Sequence, residues 1–453
     1  MSHHTFKAGA AQVDITPPLG TVINGEFTSR YANEIADPLF AKALVLQDAK
    51  TTLLIVMVDI CAMQRDFLDE VKATIAHSLG IPRECQLIAA THTHSGGSVA
   101  ELLMGHVDWA YRQWLPQRIV QAATDAYANL RPAKIGWGSV DQPQHLLCRR
   151  YQMDGGYEAI NPVTGGMDAV KTNPFGDEKQ IVGSTTMPDP GLRYLAVQGT
   201  DGRWISLLAN YSLHYVGDCE RGTLSADYFG YFARSVASGL GTDHRFVGMM
   251  SNGTSGEINI WDFQDPDRYP SGNHEKSKVI GADLASAVVE SLSDMHWEEA
   301  PVLEANYTDL LIGTRKPTAA ELTTAERIVS ETDYENITFG EPNFFKQVYA
   351  REQVLLSKFA DERLFPIQGF RIGSGAIGAL GGEFFSETGL NLKARWPDEK
   401  YFTVCLANDY VGYVPPAHEL EKGGYECWRC RTSYLVENAE GKIRNVLGRQ
   451  LVV

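Results

Sequence analysis

The sequence lacks the features that define several large classes of protein. The longest fully apolar run among its 453 residues, Leu53 to Val58, is far shorter than the ~20 residues of a membrane-spanning helix. The 40 lysines and arginines are outnumbered by 56 aspartates and glutamates, and a net charge of -16 gives nucleic acid no basic face to bind. We therefore expect neither nucleic-acid binding nor stable membrane association.

Other absences bear on compartment and domain organisation. The seven cysteines are too few and too scattered for a disulfide framework, and the N-terminus lacks the apolar core of a signal peptide. These features predict a cytoplasmic protein and leave its oligomeric state open, whereas the expected small-molecule substrate is indicated by the polar motifs described below. There is also no flexible linker, low-complexity tract or internal repeat, so we predict one large domain over residues 1–453.

Apolar periodicity indicates strands that alternate with helices. The clearest β-α step is a strand over Thr52 to Asp59 followed by a helix with Phe67, Val71 and Ile75 on one face. Further strands are predicted at 85–91, 134–140, 194–198, 205–213, 246–250, 302–311, 366–372 and 402–407, and further helices at 116–129 and around 280–288. The pattern predicts an α/β fold with mixed β-sheets flanked by helices.

Two segments interrupt this alternation. Residues 151–192 are rich in Gly, Pro, Asn and Asp without periodicity, which predicts a long surface loop and a candidate substrate cover. Residues 314–365 form a predicted helical insertion, whose first helix opens at Thr318 with Glu321 three residues later as a capping box.

The most informative motif is Thr91-His92-Thr93-His94-Ser95-Gly96-Gly97, at the end of a predicted strand. Neutral imidazole is a common zinc ligand, although a pair of loop histidines is the alternative. The second histidine is not followed by the acid and third histidine of a metallo-β-lactamase site. The pair also comes too late in the chain for an amidohydrolase barrel.

A metal held by His92 needs further ligands. Three other strand ends carry polar residues: Asn210 to His214, Gly381 to Phe385 around Glu383, and Asn408 to Tyr413. Taken singly, each is also explained by a buried core histidine, a capping glutamate or a packed tyrosine.

Together, however, these blocks resemble the N-terminal catalytic domain of the neutral ceramidase family, over roughly Ala8 to Glu426. His92 to Gly96 matches the family's THTHSGP signature, and Val13 to Pro17 and Pro38 to Leu46 resemble its opening blocks. The other three blocks follow in the family's order. The resemblance implies a neutral-ceramidase catalytic-domain-like fold and a zinc site.

The resemblance also assigns roles to residues. It places the zinc ligands on His92, His214, Glu383 and Tyr413. It places oxyanion and substrate contacts on His94, Arg149 and Tyr425. Arg150 is an alternative to Arg149, and Tyr410 is an alternative to Tyr413.

The sequence departs from the family at one catalytic position. Asn259 stands where the family's GDVSPN segment has a serine, so it cannot be an acyl nucleophile, but its amide could orient substrate or water. Ser255 and Thr254 are nearby hydroxyls, and Glu257 is a candidate for a separate base. The chain also ends at Val453 with no C-terminal sandwich domain, so ceramide itself is not the expected substrate.

These observations predict a zinc-dependent hydrolase that cleaves the C–N amide bond of a small soluble acyl compound with metal-activated water. An esterase, lactonase or other C–O hydrolase on the same site is the first alternative. A ligand-binding member of the family that has lost catalysis is the second, and Asn259 in place of serine favours it.

Overall fold

The computed structural model describes residues 6–157, 159–396 and 398–451. Its largest element is a mixed sheet, whose strands are β1 (Lys7–Asp14), β5 (Phe40–Gln47), β6 (Thr52–Val58), β7 (Gln86–Ala90), β8 (Arg131–Asp141), β13 (Gly191–Gly199), β14 (Trp204–Tyr211), β16 (Val247–Asn252) and β18 (Trp297–Glu298). The strand order is β16-β14-β13-β8-β1-β5-β6-β7, and β18 pairs with β8. Only the β6/β7 and β14/β16 pairs are parallel within this sheet. The predicted mixed α/β class is therefore confirmed.

A second sheet of four strands packs beside the first. It consists of β19 (Leu303–Gly313), β20 (Glu362–Ile372), β21 (Gly375–Leu380) and β23 (Tyr401–Val404). Strands β19 and β20 pair along their whole length as a hairpin whose connection spans 314–361. The short pairs are β2 (Val22–Ile23) with β3 (Arg30–Tyr31), β4 (Glu34–Ile35) with β15 (Thr223–Leu224), β9 (Leu147–Cys148) with β17 (Ile258–Asn259), and β22 (Glu383–Phe384) with β24 (Tyr413–Val414).

Helices cover the sheets. They are α1 (Arg65–Leu79), α2 (Trp109–Ala128), α3 (Asp227–Gly239), α4 (Glu275–Ser291), α5 (Ala319–Glu331), α6 (Phe344–Leu356), α7 (Ser386–Lys393), α8 (Ala417–Leu420) and α9 (Ala439–Leu451). Helices α5 and α6 lie in the β19–β20 connection, and α5 begins with the predicted Thr318–Glu321 capping box. None of the helices in the described ranges has the length and apolar character needed to cross a bilayer.

One sequence prediction about local structure is wrong, and another segment contains more regular structure than its sequence indicates. Helix α2 begins at Trp109, not at Pro116, because the Asp108 side chain caps it by accepting a hydrogen bond from the Tyr111 amide. Pro116 therefore lies inside the helix. The segment 151–192, which we predicted as a long surface loop, contains most of a small antiparallel sheet formed by β10 (Arg150–Met153), β11 (Val170–Thr172) and β12 (Ile181–Ser184). Its short strands carry no periodic signal long enough to read from sequence.

The two parallel strand pairs determine where polar side chains meet. Strands β7 and β16 lie at opposite ends of the large sheet, yet the segment that follows β23 bridges them. The Cys405 amide donates to the Asn252 carbonyl, and the Ala90 amide donates to the Leu406 carbonyl. The segments that follow β7, β14 and β16 are thereby brought to one place.

Candidate metal centre

Three buried side chains converge just beyond these strand ends. His92 follows β7, His214 follows β14, and Glu383 lies on β22. The Nε2 atoms of the two histidines are 3.1 Å apart, and Glu383 Oε2 lies 3.4 Å from His92 Nε2 and 3.5 Å from His214 Nε2. Three potential ligand atoms therefore face one common point.

These separations fit a zinc ion. Tetrahedral coordination with Zn–N and Zn–O bonds of ~2.0–2.1 Å places neighbouring ligand atoms roughly 3.3–3.4 Å apart. Glu383 Oε2 is buried and has no hydrogen-bond partner among the described residues, which is costly for a carboxylate oxygen unless a cation pairs with it. The three residues present therefore fit a divalent cation.

Backbone carbonyls orient both imidazoles. His92 Nδ1 lies 2.8 Å from the Cys61 carbonyl oxygen, and His214 Nδ1 lies 3.0 Å from the Ser255 carbonyl oxygen. A carbonyl accepts only, so each Nδ1 must carry the proton, which leaves each neutral ring's Nε2 lone pair directed at the common point. His92 adopts a left-handed backbone (φ 76°), a conformation that is strained for a residue other than glycine and that persists only where the surrounding structure imposes it.

Glu383 is held by the tyrosine segment. Glu383 on β22 lies opposite Tyr413 on β24 in the register of this parallel strand pair. The Tyr410 hydroxyl donates to Glu383 Oε1 at 2.8 Å. Burial alone would raise the pKa of Glu383, but positive charge at the position of His92, together with the hydrogen bond from Tyr410, outweighs burial and lowers the pKa to about 2. The carboxylate is therefore ionised at neutral pH.

The structure separates the two candidate tyrosines. Tyr410 bonds to Glu383, whereas the Tyr413 hydroxyl accepts a hydrogen bond from Arg149 at 3.1 Å. Tyr413 as a metal ligand stays a prediction, supported by its register beside Glu383.

Arg149, His94 and Tyr425 surround the cluster. Arg149 is fixed by the Glu426 carboxylate at 2.7 Å and by the Gly256 carbonyl oxygen at 2.6 Å. His94 Nε2 lies 3.2 Å from His92 Nε2, and its ring stacks on Tyr215. The Tyr425 ring lies 5.5 Å from that of Tyr413.

Protonation of His94 is controlled by its surroundings. Burial, followed by positive charge at the positions of His92 and His214, lowers the pKa of His94 well below its usual value. Its imidazole is therefore neutral at pH 7.

Two other candidates lie beside the cluster. The Asn259 amide donates to Asn173 Oδ1 at 2.7 Å and accepts from the Trp261 amide, and among the described residues no hydrogen bond joins it to the histidines or Glu383. Burial raises the pKa of Glu257 to about 7, and its carboxylate accepts from the Ser386 amide at the start of α7. A role of Asn259 in orienting substrate stays a prediction.

Arg150 is engaged elsewhere. It forms a buried ion-pair network with Glu419 and Glu426, in which Glu426 also binds Arg149. Arg150 thus helps to hold the carboxylate that positions Arg149. Sequence analysis missed Glu426, although its place directly after Tyr425 was the available signal.

Comparison with known proteins identifies the fold. No family model and no curated protein matches the sequence. Among solved structures, the chain is similar to neutral ceramidase from Pseudomonas aeruginosa, with a TM-score of 0.72 and 17% identity over 99% of this chain and 74% of that one. A ceramidase complexed with C2 gives a TM-score of 0.71 at 17% identity, covering 99% of this chain and 75% of the other. The chain therefore has a neutral ceramidase-like fold.

Proposed function

We propose that this protein is a metal-dependent hydrolase that cleaves the C–N amide bond of a small soluble acyl compound. The observation that carries the proposal is the convergence of His92, His214 and Glu383 at tetrahedral-edge spacing. We assign these three residues and Tyr413 as the ligands of a zinc ion. Zinc in such a site acts as a Lewis acid and lowers the pKa of water toward ~7.

The surrounding residues supply charge stabilisation. The Arg149 guanidinium uses Nε and Nη2 for Glu426, Gly256 and Tyr413, and in the described part of the chain Nη1 donates to no protein acceptor. That nitrogen can donate a hydrogen bond to the substrate's carbonyl oxygen, on which negative charge develops when water attacks. Tyr425 and neutral His94 are further donors beside the cluster, and preorganised donors of this kind stabilise the transition state.

The similar solved structures favour an amide over an ester as the proposed substrate. Both are described as ceramidases, and ceramide is an N-acyl amide. The lipid part of ceramide is not carried over to this chain, for which we propose a smaller acyl compound.

The proposal is tested by turnover of matched amide and ester pairs. Glu383→Gln should lower kcat/KM for an amide by at least roughly a hundredfold, because even partners outside the ligand shell cost ~10–100-fold. His244→Ala, which changes an exposed histidine remote in sequence from the ligands, is the control. Faster turnover of the ester would support the C–O alternative, and tight ligand binding without turnover would support the silent-binder alternative.

A further inference from the structure

An aromatic cluster adjoins the candidate metal centre. We define it as Phe27, Phe339, Phe344, Phe345, Tyr425 and Trp428. Phe27 lies at its centre, with ring centroids 5.3 to 5.8 Å from those of Phe339, Phe344, Phe345 and Tyr425. Trp428 contacts Phe345 and Tyr425. These residues come from three distant parts of the chain, so their meeting is a property of the fold.

The cluster is continuous with the metal centre along two paths. Tyr425 contacts Phe27 on one side and Tyr413 on the other, at 5.7 and 5.5 Å between ring centroids. In addition, a Cβ on Gly25, two residues before Phe27, would lie 2.5 Å from the His94 ring, so this backbone packs directly on the imidazole. A substrate whose carbonyl lies beside His94 and Tyr425 therefore has the aromatic cluster within reach.

Part of the cluster is open to solvent. Phe339 is 61% exposed and Phe345 is 37% exposed, whereas Phe344 is buried beneath them. Together the exposed fractions amount to about one phenylalanine side chain, or roughly 200 Å². A stable protein partner would need roughly 800 Å² on each side, so this surface suits one small apolar group.

We propose that the aromatic cluster is a substrate subsite that selects amides with an aromatic ring next to the scissile group, a proposal that rests on the function proposed above. Rings around Phe27 mostly meet edge to face, at interplanar angles of 60° to 77° for Phe344, Phe345 and Tyr425. A planar ring of the substrate extends this packing, because edge-to-face pairs gain energy beyond apolar burial. A saturated group of similar size obtains the burial alone.

The test uses binding as well as turnover. Acetohydroxamate, cyclohexanecarbohydroxamate and benzohydroxamate share one metal-chelating head and differ only in the attached group. Calorimetry on the zinc-loaded protein should give a Kd for benzohydroxamate roughly 10- to 100-fold lower than for acetohydroxamate, as expected for burial of one ring. The cyclohexyl compound should fall between them. The corresponding N-methyl amides should follow the same order in kcat/KM.

Variants locate the effect. In the double variant Phe339→Ala/Phe345→Ala the affinity ratio between benzohydroxamate and acetohydroxamate should collapse toward unity. Trp114→Ala, which removes an exposed aromatic ring from helix α2, should leave the ratio unchanged. Equal binding of all three hydroxamates by the wild-type protein, or a ratio that survives the double variant, would overturn the subsite. Failure of every hydroxamate to bind would instead refute the metal centre beneath it.

Discussion

Tyr410 provides the sharpest test of how the ligand cluster is held. Its buried hydroxyl donates to Glu383 Oε1, while the other carboxylate oxygen faces His92 and His214. Tyr410→Phe removes that one hydroxyl and keeps the ring. The free Oε1 then lacks its partner, and the carboxylate gains freedom to rotate away from the two imidazoles.

The expected magnitude follows from two independent estimates. Loss of a hydrogen-bond partner behind a metal ligand lowers metal affinity by ~10–100-fold. Loss of the partner of a buried charged acceptor costs about 1–3 kcal/mol, which corresponds to a similar factor at about 1.4 kcal/mol per tenfold. We therefore expect the zinc Kd of Tyr410→Phe to rise between about tenfold and a hundredfold.

Competition with a chromophoric chelator measures this Kd. Tyr434→Phe is the matched control, because Tyr434 and Tyr410 line the same cavity of about 420 Å³, and Tyr434 bonds to Arg363 instead of Glu383. An unchanged Kd in Tyr410→Phe, or an equal rise in Tyr434→Phe, would refute the reasoning. A rise well beyond a hundredfold would make Tyr410 the ligand in place of Tyr413.

Three further predictions concern residues around the cluster. Arg149→Ala should lower kcat by ~10²–10³ in steady-state assays at saturating zinc, because it removes the proposed oxyanion donor; unchanged kcat would exclude that role. Asn173→Ala and Asn259→Ala should change KM by the same factor, and their double variant should add nothing, since the two amides bond to each other. Burial raises the pKa of Glu257 from 4.5 to about 7, so between these pH values the folded protein binds a proton that the unfolded chain does not. The contribution of protonated Glu257 to the free energy of unfolding is therefore complete below pH 4.5 and is lost as the pH rises through about 7. Denaturant unfolding at pH 4.5 and pH 8 should show this loss, about 3 kcal/mol, in the wild-type protein and not in Glu257→Gln.

The three proposed ligand residues could be predicted because each lies at or just beyond a strand end. A strand end has a local signature in the sequence, because polar residues follow directly after a run of apolar ones. In addition, the order of the blocks at His92, His214 and Glu383 resembles that of a known family. Their meeting point was not predictable from periodicity. It depends on two backbone hydrogen bonds, through which Cys405 contacts β16 and Leu406 contacts β7. The bonded residues are more than 150 positions apart in the first case and more than 300 in the second.

The surroundings of the cluster escaped prediction for related reasons. The carbonyl groups of Cys61 and Ser255 orient the imidazoles through backbone atoms, so the identity of those side chains carries no signal. The aromatic cluster joins Phe27, Phe339 and Tyr425, and no local pattern relates positions so far apart. Sequence periodicity reports which face of an element is apolar, but long-range packing decides which faces meet.

The central claim is that one divalent cation is held by nitrogen and oxygen ligands that include His92 and Glu383. Zinc-edge X-ray absorption on stoichiometrically loaded protein, with metal content measured beside His92→Ala, tests it directly. We expect one zinc per chain, a ligand shell of nitrogen and oxygen at ~2.0–2.1 Å, and loss of zinc in the variant. Cys61 and His94 offer a competing group with His92, so a sulfur ligand at ~2.3 Å would contradict the assignment, as would equal zinc content in both proteins.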